Sequence, residues 1–387
     1  MQTPAQLISS FLFECEREKT RMKGDGGEEE EIAEYAEEKW TPRKIETLFD
    51  ADIHKLGEIA DKINRREGNI VTFVVNKHIN YTNVCVAKCP LCAFYRDAGD
   101  SDAYLMTVEE VLAEAEDAIR RGGTELHIVG SLNPEVSIEY FEEMFSRIKE
   151  LARMKKRNVV VKALTAVEVD FIAKKERMSI KETLSRLKSA GLDAMPGGGA
   201  EILVDEIRKM ICPNKANADK WLKVMEIAHK LGIKSNATML FGHIEQIRHR
   251  ALHIFKLWNL QNRTKGFISF IPLLFHPENT RIGYEGGLRK ADPIDILKTI
   301  AVSRIVLRNF KSVRAYWIGL GEKLAQIALN YGANDIDGTI MGERVTHSAG
   351  AKSPTHLTVR KILGIIRASG KIPAERDTFY NILRVFA

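Results

Sequence analysis

The sequence predicts an α/β chain centred on a (β/α)8, TIM-type barrel, with N-terminal helices before it and a C-terminal helical extension after it. Three observations carry that expectation. From Ile70 onward, short runs rich in β-branched residues alternate with helix-length amphipathic stretches, the pattern of parallel strands joined by helical crossovers. Eight such units fit between Ile70 and Ile340. No dinucleotide-binding fingerprint accompanies them, which favours a closed barrel over an open doubly wound sheet.

The expected division is a helical segment over residues 1–69, the barrel over 70–345 and a helical extension over 346–387 packed on the barrel. Residues 1–40 are the least regular, with an acidic run over 28–38 and a lone thiol at Cys15. Thr41 followed by Pro42 is a helix start, since threonine caps and proline suits the first turn. A second helix follows over 53–64, with Leu56, Ile59, Ala60 and Ile63 on one stripe. The expected strands are 70–75, 125–129, 159–163, 192–195, 235–240, 267–271, 313–317 and 335–340. Helices are expected between them, the best marked being 107–121, 138–154, 179–190, 218–231, 244–261 and the Asp292-Pro293 start running to 310.

Composition narrows the function. At 387 residues and 44% apolar, the chain can bury a large core. A net charge of +6 from 58 basic and 52 acidic side chains is mild and gives no sign of nucleic acid. The basic clusters at 155–157 and 174–177 carry no interleaved stacking aromatics and read as solvated turns. There is no signal-peptide pattern, and no apolar run approaches the roughly 18 residues of a membrane span. Cysteine usage points to a reducing, cytoplasmic setting and not to a disulfide framework.

Three of the five cysteines fall in one motif, Cys85-x-x-x-Cys89-x-x-Cys92. Soft thiolates at this spacing suit zinc or an iron–sulfur cluster. A structural zinc site wants four protein ligands, so His78 or Asp97 would have to complete it. A [4Fe-4S] cluster on three thiolates would leave one iron open to a substrate or cofactor. Reduced, unliganded thiols are the third option.

The motif, followed by the aromatic Phe94, resembles the signature of the radical S-adenosylmethionine (SAM) enzymes. In that superfamily the open iron chelates SAM, and reductive cleavage gives methionine and a 5′-deoxyadenosyl radical. The resemblance implies a barrel fold, a [4Fe-4S] cluster on Cys85, Cys89 and Cys92, and SAM held by the loops after the strands. Candidates for SAM are Phe94, Gly130 and Ser131 after the second strand, Gly198 and Glu201 after the fourth, and Asn236 and Thr238 on the fifth. Asn133 stands where histidine is expected in near relatives, so a titratable group is absent there. His243, His276 and Arg314 complete the catalytic candidates, the last as a carboxylate clamp. Lys162, Thr165 and Tyr316 are further candidates for holding carboxylates.

Longer stretches narrow the likeness. His78-Ile-Asn-Tyr-Thr-Asn-Val-Cys85, Pro196-Gly-Gly-Gly-Ala-Glu-Ile202 and Phe241-Gly-His243 resemble a subgroup that includes the enzymes of the futalosine route to menaquinone and the deazaflavin-cofactor synthases. Lys162-Ala-Leu-Thr-Ala-Val-Glu168, Ile211-Cys-Pro-Asn-Lys-Ala216, Ala315-Tyr-Trp317 and Pro373-Ala-Glu-Arg-Asp-Thr378 look most like the aminofutalosine synthases. That likeness implies addition of the 5′-deoxyadenosyl radical to an aromatic dicarboxylate, 3-[(1-carboxyvinyl)oxy]benzoate, giving 6-amino-6-deoxyfutalosine. Tyr81 leans instead toward the dehypoxanthine futalosine cyclases. Either enzyme implies an external one-electron donor such as flavodoxin or ferredoxin. A non-enzymatic iron–sulfur electron carrier is the alternative of another class. It would want a fourth cysteine, and Cys212 reads as a barrel-rim thiol.

Overall fold

The structure is a computed structural model and describes residues 39–65 and 68–386. The expectations for the acidic run and for Cys15 lie outside the described residues. The chain opens with the helix Pro42–Leu48, where the Thr41 hydroxyl accepts from the Lys44 amide at 3.2 Å. The helix Ile53–Arg65 follows and turns Leu56, Ile59 and Ala60 into the core. It packs on the later helix Pro293–Val306, so the N-terminal helices brace the outer layer of the barrel.

Seven parallel strands form the central sheet in chain order: β2 (Asn76–Ile79), β3 (Glu125–Ile128), β4 (Val160–Ala163), β5 (Ala194–Met195), β6 (Lys234–Phe241), β7 (Phe267–Leu274) and β8 (Ser312–Val313). The sheet curls into a partial barrel of the TIM type. Between its two edges lies β9 (Asp335–Gly338), which bridges β8 through Arg314 and Asp335, while Met341 just beyond it bridges Lys77 of β2.

The 70–75 run is not the first barrel strand, contrary to expectation. As β1 (Ile70–Val74) it belongs to a second sheet of order β11-β10-β1-β9, with β10 (Ile372–Arg376) and β11 (Ile382–Val385). The C-terminal extension therefore holds the helix Val359–Ala368 and then a strand pair that closes over β1. The barrel position falls to Asn-Lys-His-Ile, a polar strand, and the reason lies in the lumen. Lys77 points outward, where its ammonium meets Asp117 of the helix Val108–Arg120 at 2.9 Å. By the two-residue period, Asn76 and His78 point inward. The same rule places Leu126 and Ile128 under the helices and Glu125 and His127 inside, and it puts Lys162 of β4 beside them. A lumen lined by ionic and amide groups needs polar strands, which a search for apolar runs passes over. No helix among the described residues is long and apolar enough to cross a membrane.

Candidate active site

The loop after β2 carries the three cysteines and is held open by its own polar residues. Thr82 donates its hydroxyl to the Tyr104 carbonyl at 2.6 Å, and Asn83 clasps Tyr104 and Asp102 at 2.8 Å each. Lys88, at φ 45°, takes the left-handed turn between Cys85 and Cys89, a conformation costly for a side chain and concentrated at functional loops. The Leu132 amide approaches Cys85 Sγ at 3.5 Å. Burial pushes the Cys89 thiol up to about 12, with the Lys215 ammonium pulling the other way, and raises Cys92 similarly. Backbone amides of Tyr95 and Phe94 favour the Cys92 thiolate.

These features fit an anionic iron–sulfur cluster: three thiols on one cavity wall, amide donors at the sulfurs and a cation behind them. They do not fit a closed single-ion site. Among the described residues no three His, Cys, Asp or Glu groups converge on one metal position. The two groups that could have completed a zinc site are engaged elsewhere, Asp97 with Lys88 at 2.5 Å and His78 against His127. Cys212 is buried near Cys89 and Lys215 but is absent from the cavity wall.

The cavity of about 260 Å³ opens at the C-terminal ends of the strands, where barrel chemistry gathers. Its wall takes in Cys85, Cys89, Cys92 and Phe94, then Gly130 and Ser131 from the loop after β3. Gly198 and Glu201 come from the loop after β5, and His276 from the loop after β7. Thr165 and Tyr316 also face it. Two of its glycines answer first to packing. A Cβ on Gly130 would sit 2.7 Å from the Tyr81 ring, and one on Gly199, at φ +78°, would sit 2.5 Å from Val167. Glu201 is at φ 45° and its carboxylate pairs with Lys215 at 2.7 Å. Burial alone would raise that carboxyl, yet Lys215 holds it below its usual range. Lys215 is correspondingly held well above its own despite burial, by Glu201 and the thiols.

The other sequence candidates, His276 excepted, stand off the wall. Asn133 donates to Thr82 Oγ1 at 3.1 Å and accepts from the Glu135 amide at 3.0 Å, so it fixes the turn. His243 meets the Leu240 carbonyl at 3.1 Å and Glu245 at 3.0 Å, beneath the rim. Burial keeps it below its ordinary range. Thr238 donates to the Gly197 carbonyl at 2.6 Å, and Asn236 accepts from Ser269 at 3.1 Å. Arg314 lies deep in the lumen, 3.3 Å from Asp337 and 3.6 Å from Asp335. Lys162 is 2.5 Å from Glu125. His276 lines the cavity with one ring nitrogen 3.1 Å from the Gly319 carbonyl.

Sequence reasoning passed over two wall residues, Glu168 and Lys215. Glu168 accepts from the Tyr81 hydroxyl at 2.8 Å, the Gly130 amide at 3.0 Å and the Thr165 amide at 2.7 Å. Thr165-x-x-Glu168 is a capping box, a pattern readable in sequence as a helix start. Its second task, joining the cysteine loop to the loop after β3, has no local signature.

An open three-cysteine cluster site at the mouth of a partial barrel defines the radical SAM class. A profile of the Radical SAM superfamily matches residues 79–257, and one of the CofH/MqnC C-terminal region matches 264–386. The chain belongs to the radical SAM superfamily and, within it, to the CofH/MqnC-related group. It is 39% identical over 354 residues to the 5-amino-6-(D-ribitylamino)uracil--L-tyrosine 4-hydroxyphenyl transferase of Methanocaldococcus jannaschii, covering 90% of this chain and 98% of that one. A protein of the same name from Methanopyrus kandleri is 42% identical over 322 residues, 82% and 86% of the two chains. The aminodeoxyfutalosine synthase of Thermus thermophilus is 39% identical over 337 residues, 87% and 90%. Methylornithine synthase (PylB) shares the fold, with a TM-score of 0.69 at 17% identity over 88% of this chain and 96% of that one.

These findings overturn the expected assignment to aminofutalosine synthase, and with it the enolpyruvyl-benzoate reaction. Relatives named for ribitylaminouracil and tyrosine match over more of the chain or at higher identity, and the C-terminal profile is of the CofH/MqnC type. The stretches behind the earlier likeness mix cavity wall, at Thr165, Glu168, Lys215 and Tyr316, with internal pairing. Lys162 pairs with Glu125, Lys215 with Glu201, Trp317 donates to the Gly338 carbonyl and Arg376 clasps Asp335.

Proposed function

We propose that this protein is a radical SAM transferase that moves the 4-hydroxyphenyl-bearing fragment of L-tyrosine to 5-amino-6-(D-ribitylamino)uracil. One observation carries the choice within the group: the site has no spare cation for a dianionic aromatic substrate. Among the described residues Lys215 is the one lysine or arginine on the cavity wall, and Glu201 neutralises it. Deeper in, Lys162, Arg314 and Arg376 face Glu125, Asp335 and Asp337, charge for charge. The expected Arg314 clamp is thus engaged already. A substrate pair whose acceptor is uncharged suits such a site, since burying unpaired carboxylates is costly.

When bound, the cluster and SAM supply the 5′-deoxyadenosyl radical. The chain's own residues hold that chemistry in place. Cys85, Cys89 and Cys92 are the cluster ligands. Ser131, Gly198 and Glu201 border the space for SAM, with Glu168 fixing the loop that presents Ser131. Phe94, Leu240 and Phe275 supply apolar wall that keeps water from a reactive intermediate. An external one-electron donor of the flavodoxin or ferredoxin kind would reduce the cluster.

The second reading is dehypoxanthine futalosine cyclase, favoured by Tyr81 and by a C-terminal profile that spans both types. Substrate dependence of SAM cleavage separates the two. Reconstituted enzyme with dithionite and SAM should release methionine well above background only when L-tyrosine and the ribitylaminouracil are both present. Stimulation by dehypoxanthine futalosine alone would give the site to the cyclase.

A further inference from the structure

Two imidazoles in the barrel lumen have no role in the scaffold. His78 of β2 and His127 of β3 are register partners, and their rings stack with centroids 4.3 Å apart at 16°. Lys162 continues the row on β4, where its ammonium is taken by Glu125. Neither imidazole is hydrogen-bonded to another described residue, and their surroundings act on them only through burial and distant charge. Both rings are deep in the barrel yet only half-buried, so they border open space inside it. Unbonded polar rings facing such a space are unusual, because buried polar groups almost always find partners.

The neighbours point the same way. The charge of Arg314 reaches His127, and its Nη2 finds no partner although the residue is only 1% exposed. Its charge is balanced by Asp335 and Asp337, so it adds no net charge to the lumen. The lumen also adjoins the cavity. Tyr316 and Thr346 stand on the cavity wall, Glu343 accepts from the Thr346 amide at 2.6 Å, and Glu343 in turn acts on His78.

We infer that the stacked pair His78–His127 is a subsite for the hydroxyls of an uncharged polyol chain reaching inward from the cavity. A neutral imidazole carries one donor and one acceptor and can exchange them by tautomer, as a hydroxyl can by rotation, so two stacked rings match neighbouring hydroxyls. Burial keeps both rings in that neutral form. A carboxylate would meet the lumen's balanced charges without a cation to receive it. The inference deepens the functional reading above and rests on it for the name of the acceptor, whose ribityl chain is such a polyol.

The test is calorimetric titration of the cluster-loaded, SAM-bound enzyme with 5-amino-6-(D-ribitylamino)uracil and, separately, with 5,6-diaminouracil, which lacks the chain. His78→Phe and His127→Phe keep the stack but lose the hydrogen bonds. Each should weaken the ribityl compound about tenfold or more and leave 5,6-diaminouracil unchanged. His127→Gln, which restores a donor and an acceptor, should stay within about threefold of the parent. Equal weakening of both ligands, or none of either, overturns the subsite. If the parent enzyme binds dehypoxanthine futalosine and not the ribityl compound, the functional reading fails and the same variants are titrated with that ribose-bearing ligand. Loss of its affinity in the Phe variants upholds the subsite, and unchanged affinity overturns it.

Discussion

The carboxylate of Glu168 ties together three segments that are far apart in sequence. One oxygen accepts from Tyr81 and Gly130, the other from Thr165, so the cysteine loop and the loop after β3 are set in one frame. Inside that frame the cysteines are not equivalent to other thiols. Changing Cys85, Cys89 or Cys92 singly to alanine should remove the iron–sulfur absorbance after anaerobic reconstitution, since each ligand is unreplaced. Cys212→Ala should retain at least about half of it, because that thiol is off the cavity wall. Loss in Cys212→Ala with a retained cluster in the triad variants would reverse the ligand assignment. A second residue-scale expectation concerns His347, whose Nδ1 lies 2.7 Å from Glu343 and whose pKa that carboxylate raises to about 9. The unfolded value is about 6.5. A raised folded pKa stabilises fully below the unfolded value and stops contributing as pH climbs through the folded one. The melting-temperature gap between the parent and His347→Gln should therefore be open at about pH 6 and closed by about pH 10. A gap that widens with pH contradicts the pairing.

At the scale of elements, β10 secures the seam of the barrel. Arg376 forks onto Asp335 of β9 at 2.5 and 2.9 Å, and Asp335 takes the Arg314 charge as well. Arg376→Met would leave that carboxylate buried with one cation fewer, at a cost of about 3–5 kcal/mol in urea unfolding. A loss below about 1 kcal/mol would mean that the strand, not the ion pair, holds the seam. None of this was visible from local pattern. Pro373-Ala-Glu-Arg376 gives no strong strand signal, and its partner Asp335 is 41 residues away. The alternation of strands and helices was legible because apolar periodicity is local. The 70–75 run misled because it is more apolar than the true first barrel strand, whose inward residues Asn76 and His78 serve a polar lumen. The cysteine triad was legible for the same reason of locality. The roles of Glu168 and Lys215, and the engagement of Arg314 by acids, depend on contacts across the barrel and carry no signal at sequence level.

Taken as a whole molecule, the barrel places an anion-tolerant mouth above a charge-balanced lumen. The mouth gathers three thiols with one paired lysine behind them, and the lumen sets lysine and arginine against carboxylates, charge for charge. Such a layout confines a cofactor of mixed charge near the surface and an uncharged acceptor below, with L-tyrosine between the two in the proposed reaction. The most direct measurement follows an isotope. Reconstituted enzyme, dithionite, SAM, 5-amino-6-(D-ribitylamino)uracil and L-tyrosine labelled uniformly in its aromatic ring are incubated without oxygen, and the products are resolved by mass spectrometry. The account predicts a coupled product that carries the whole labelled ring on the ribitylaminouracil. SAM cleavage that leaves all the label in L-tyrosine and none on the uracil would contradict it.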